Sequence, residues 1–95
     1  MDIKKMMQFL KENYKKEDLK VQFAKTQEDV LKFWESHHDN SMVELIKNDL
    51  KLSYDVIDVL YSGTVEKFLE YLCDLDTRPR EHLYEFLEKK ARIIK

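Results

Sequence analysis

Ninety-five residues bury roughly 60–65% of their unfolded surface on folding, enough for one compact core and too little for a large enclosed active site. Hydrophobic residues make up 43%, aromatics 12% and charged residues 38%, a globular balance rather than a disordered one; the single Gly and single Pro argue against the frequent tight turns of an all-β fold. Cys73 as the only cysteine excludes an internal disulfide and a cysteine-rich zinc module.

Helical spacing of Ile3, Met6, Met7, Leu10 and Tyr14 predicts a first helix from Asp2, its N-cap, to about Lys15. The next segment, 19–25, is ambiguous. Leu19, Val21 and Phe23 alternate with Lys20, Gln22 and Ala24 like a short strand, yet Ile3, Met7, Leu10, Tyr14, Val21 and Ala24 also fit one helical seam broken at Glu17. A lone strand has nothing to pair with, so loop or helix is the favoured reading. Thr26 is expected to cap a helix whose apolar face is Val30, Phe33, Trp34 and His37, ended by His37-His38-Asp39-Asn40. Ser41 and Glu44 form a capping box before the stripe Met42, Leu45, Ile46 and Leu50.

Ser53 is expected to open a mostly apolar helix, Tyr54 to Tyr61, with Asp55, Asp58 and Ser62 as a narrow polar strip. Gly63 suits a left-handed C′ position and Thr64 the next N-cap, ahead of the stripe Val65, Phe68, Leu69 and Leu72. Pro79 falls in the first turn of a last helix carrying Leu83, Tyr84, Phe86, Leu87, Ala91 and Ile94, supported by Glu85–Lys89 and Glu88–Arg92 pairs. The predicted fold is therefore all-α: one domain over 1–95, an irregular bundle of five or six short helices, with 19–25 as the one competing extended segment. Trp34, Phe33, Phe68 and Phe86 read as core.

Charge is unevenly distributed. Residues 1–25 hold seven Lys against four acids, 26–77 four Lys against twelve acids, and 78–95 six basic against three acidic residues. The acidic middle suits a basic partner. The closely spaced charges of the first twelve residues rule out a signal-peptide core, and no apolar run nears the roughly 18–20 residues of a membrane span. A cytoplasmic address with no membrane partner is expected.

Candidate chemistry is thin. His37-His38-Asp39 is half a metal site, but adjacent helical residues diverge by about 100°; Cys73 and His82 would have to be brought in by the fold. Cys73 beside Leu69 and Leu72 reads as a packed thiol, and Asp74 and Asp76 would raise rather than lower its pKa. No metal, cofactor or catalytic residue is assigned, and no nucleotide, nucleophile-elbow or zinc-helix motif is present. A helix–turn–helix reading around Gly63 meets Asp58 and Ser62 where that motif wants apolar residues, and its reading helix would carry Glu66, Glu70 and Asp74 towards phosphates.

The expected function is a non-enzymatic protein-interaction module (a regulator, adaptor or inhibitor) with a basic protein partner. Its predicted contact surface is Glu66, Glu70, Tyr71 and Asp74, with Asp55 and Asp58 beside them; Tyr71 stands off the apolar stripe, and tyrosines are enriched at interfaces. The alternative is a nucleic-acid-binding regulator using the basic ends, Arg78, Arg80, Lys89, Lys90, Arg92 and Lys95 among them. Homodimerisation is a further expected route to covering apolar stripes that one short chain leaves open.

Overall fold

A computed structural model describes residues 2–92. They form five helices, α1 (Ile3–Asn13), α2 (Lys16–Ser36), α3 (Asn40–Ser62), α4 (Val65–Cys73) and α5 (Thr77–Arg92), with no strand among the described residues. The all-α expectation holds, and the ambiguous 19–25 segment lies wholly inside α2. Ile94 and Lys95 lie outside the described residues.

Local chemistry explains where the helices start and stop. Asp2 accepts the Lys4 N–H at 2.9 Å and caps α1. The chain turns extended at Tyr14 and Lys15, and Glu17 and Asp18 then place negative charge in the first turn of α2. Thr26 caps nothing: its hydroxyl donates back to the Phe23 carbonyl at 2.6 Å, which satisfies it inside a continuous helix. α2 ends in a Schellman turn, with His38 N–H donating to the Glu35 carbonyl and Asp39 N–H to that of Trp34. His38 takes the left-handed position, φ 55°. Asp39, rather than Ser41, caps α3 by accepting the Met42 N–H at 3.1 Å.

Ser53 opens no helix. It is buried in the middle of α3, where its small side chain permits close packing. Gly63 is extended, not left-handed (φ −107°, ψ −177°); glycine is needed there for room. A Cβ would sit 2.8 Å from Val59 Cγ1 and 3.0 Å from the Val59 carbonyl oxygen. Thr64 caps α4 as expected, accepting the Lys67 N–H.

One contiguous core is built from Met6, Met7 and Leu10 of α1, Leu19 and Phe23 of α2, Val56, Ile57 and Leu60 of α3, Phe68 and Leu72 of α4, Leu75, and Leu83, Leu87 and Ala91 of α5. α2 contributes only its first two turns to that core. Beyond Phe23 it runs on beside α3 as an antiparallel hairpin, and the molecule is elongated, 42 × 26 × 21 Å. Phe33 is therefore not core. It is half exposed, edge-on to a partly buried Trp34 at 5.0 Å, and it stacks with His37 at 4.3 Å. Cys73 is likewise an exposed thiol, not a packed one.

Two polar clamps hold the short helices to the hairpin and to each other. The Tyr61 hydroxyl lies 2.7 Å from the Tyr14 carbonyl oxygen and 3.2 Å from that of Leu10, donating to the open C-terminal end of α1. Arg80 donates from Nη2 to the carbonyls of Leu75 at 2.9 Å and Cys73 at 3.2 Å, fastening the α4–α5 turn. Burial, then the charge of Asp18, pushes the Tyr61 hydroxyl pKa up to about 12. Tyr61→Phe should cost about 1 kcal/mol in urea unfolding. Because the folded pKa exceeds the unfolded value near 10, the hydroxyl's contribution is whole below pH 10 and is lost as pH rises towards 12. The stability gap between wild type and Tyr61→Phe should shrink over that window.

Candidate functional site

Helical spacing places Phe23, Gln27, Val30 and Trp34 on one face of α2, and Met42, Leu45, Ile46, Asp49, Leu50 and Ser53 on the facing side of α3. Near Phe23 this seam is roofed by α5: Phe23 meets the Phe86 ring edge-on at 5.2 Å and the His82 ring at 5.6 Å, and Thr26 Oγ1 lies 3.1 Å from His82 Nε2. α5 begins only at Thr77, so towards the hairpin tip the seam loses its roof. The result is an open groove of about 610 Å³ between the outer halves of α2 and α3 and the first turns of α5.

Its lining divides by chemistry. Val30, Trp34, Met42, Leu45, Ile46, Leu50 and Pro79 supply apolar surface, and Val30 and Leu45 are 43% and 48% exposed, well above what a core position shows. Asp49, Asp76, Glu81 and Glu85 supply four carboxylates against the cations of Arg78 and, when protonated, His82. None of the four carboxylates forms an ion pair among the described residues. Burial, then the neighbouring charge of Asp76, raises the Asp49 carboxyl above the ordinary range. The groove thus combines an apolar floor with a rim of acids that have no ion-pair partner among the described residues.

The residues singled out from the sequence are placed in two sets. Glu66, Glu70 and Tyr71 lie exposed on α4 and Asp74 at its C-cap, with Lys67 3.8 Å from Glu70. Asp58 is turned towards α2 instead: its Oδ1 is 2.6 Å from Lys20 Nζ and 3.5 Å from Lys16 Nζ. Asp55 is exposed on the same helix and its charge reaches Lys20. Asp58 is thus a tie between α2 and α3, and the Lys20 contact holds its carboxyl below the usual range.

His37 Nδ1 is 2.7 Å from the Phe33 carbonyl oxygen and His82 is engaged by Thr26. Among the described residues no three His, Cys, Asp or Glu side chains converge as metal ligands, and no helix is long and apolar enough to cross a membrane. On the opposite side, Lys25, Lys89 and Lys90 surround Phe86 in a shallower cleft of about 420 Å³ between α2 and α5. Lys90 lies over both the Phe86 and Tyr14 rings.

Sequence reasoning found the apolar stripes of the groove but assigned them to the core. The acids come from two separated stretches, Asp49 on α3 and Asp76, Glu81 and Glu85 at the start of α5, that only the fold unites. Compared with protein-family models, curated proteins and solved structures, the chain matches none.

Asp58→Asn should destabilise the protein by about 0.5–1 kcal/mol, whereas Asp55→Asn should leave stability unchanged. Since the folded Asp58 pKa is lowered, its contribution is present above the unfolded value near 3.9 and disappears as pH falls through the folded value. Thermal unfolding of wild type and Asp58→Asn should therefore converge in acid.

Proposed function

We propose that this chain is a non-enzymatic protein-interaction module that receives its partner in the groove between the α2–α3 hairpin and the start of α5. One observation carries the reading: the hairpin's outer half keeps Val30, Trp34, Leu45 and Ile46 along a single seam that no described element covers. Contiguous exposed apolar surface rimmed by polar groups is the kind of surface on which protein partners dock. Trp34 in such a position is the kind of anchor that dominates interface energetics. The exposed α4 face, with Glu66, Glu70, Tyr71 and Asp74, is the alternative surface for the same role.

A different class of function is favoured by the lysine-lined cleft at Phe86. Clustered Lys25, Lys89 and Lys90 around an aromatic ring would suit a nucleic-acid backbone with a stacked base.

The test is capture from a lysate of the source organism on immobilised wild type, Val30→Glu/Leu45→Glu and Glu70→Lys/Asp74→Lys, each with and without nuclease. The expected result is a stoichiometric protein held by wild type and the α4 variant, lost from the groove variant, and indifferent to nuclease. Retention abolished only by the α4 changes would move the interface to that helix. Capture that vanishes with nuclease would establish the nucleic-acid reading in its place.

A further inference from the structure

We infer that the natural occupant of the groove is a short amphipathic helix from another protein, with lysines or arginines flanking its apolar stripe. This inference rests on the groove being the binding site and adds the chemistry of what fills it. The shape comes from the fold itself. Where the seam between α2 and α3 is closed, a helix closes it: α5 lays Phe86 and His82 against Phe23. Beyond the start of α5 at Thr77, the same two helices continue with the same kind of lining, so the vacant stretch has the form of a third-helix seat. On α3 the groove runs from Met42 to Ser53, about 16 Å at 1.5 Å per residue, which takes an occupant of about three turns. Leucine-like side chains at i, i+3/i+4 and i+7 on that occupant would meet Val30, Trp34, Leu45 and Ile46.

Charge selects among helices of that shape. Asp49 stands on the α3 wall, and Asp76, Glu81 and Glu85 on the α5 side. Arg78 and His82 are the only basic side chains of the lining, and His82 is held by Thr26. An acidic helix would be repelled on entry, while a basic one would neutralise carboxylates that have no ion-pair partner among the described residues. The same charges disfavour a second copy docked groove to groove, because a two-fold contact would set these carboxylates against their own counterparts.

Two synthetic helical peptides with one shared leucine stripe, flanked by lysines in one and by glutamates in the other, test this directly. Trp34 is the only tryptophan and lines the groove, so its emission reports local binding. The lysine peptide is expected to blue-shift Trp34 and to bind at least roughly tenfold more tightly than the glutamate peptide, with the advantage weakening in salt. Glu81→Lys/Glu85→Lys, two exposed positions, should cancel or reverse that preference, and Glu70→Lys/Asp74→Lys should leave it intact. Equal binding of both peptides would overturn the basic-helix inference while leaving the groove as an apolar docking site. A silent Trp34 with both peptides up to about 1 mM, a weak limit by affinity arithmetic, would also overturn it. If sedimentation then gives a dimer with Trp34 already shielded, the occupant is a second copy. The capture experiment above judges the groove independently of either peptide.

Discussion

Helix length is the constraint from which the rest of this structure follows. α2 and α3 contain 21 and 23 residues, about 32 and 35 Å at the usual rise. α1, α4 and α5 contain 11, 9 and 16, and the shorter three cluster around the half of the hairpin that holds Leu19, Phe23, Val56, Ile57 and Leu60. In the other half α2 and α3 have each other, and beyond that only the first turns of α5 at the edge of the groove. Val43 is buried there, yet it stands apart from the main core.

That division separates two jobs. The inner half supplies stability: nearly all fully buried side chains sit there, Tyr61 and Arg80 fasten the short helices around it, and Asp58 with Lys20 ties α2 to α3 alongside. The outer half exposes apolar area that the chain alone does not remove from water. Val30 and Leu45, each close to half exposed, forgo part of the roughly 1.5–3 kcal/mol that full burial of such a side chain provides. A helix docked in the groove, as proposed, would recover some of it without any rearrangement of the inner bundle. The acidic residues along the edge set that apolar surface in a strongly polar frame, and for the proposed partner they would contribute selectivity more than affinity.

Much of this architecture was legible in the sequence, and the failures share a cause. The Met6–Leu10 and Phe68–Leu72 stripes, the Asp2 and Thr64 caps and the stop after Ser36 all depend on near neighbours, which the sequence displays. Thr26 and Ser53 resemble cap residues, but each sits mid-helix: the Thr26 hydroxyl is satisfied within α2 by the Phe23 carbonyl, and Ser53 is buried in the middle of α3. Gly63 marks a break correctly for a different physical reason, close approach to Val59. Periodicity shows that Val30, Phe33, Trp34 and Leu45 form apolar faces; it carries no information about whether anything covers them. The groove was hidden for the same reason, since Asp49, Asp76 and Glu81 become neighbours only when α5 folds back over α3.

Native-state hydrogen exchange on the isolated chain tests the central claim, that the hairpin is anchored at one end and waiting for cover at the other. Amides of Leu19 to Phe23 and Val56 to Leu60 are expected to exchange only through global unfolding. Those from Val30 to Trp34 and from Val43 to Ile46 should exchange through local opening at markedly lower free energy. Equal protection along both helices would contradict the account, because the outer half would then be as fully supported as the core without any partner.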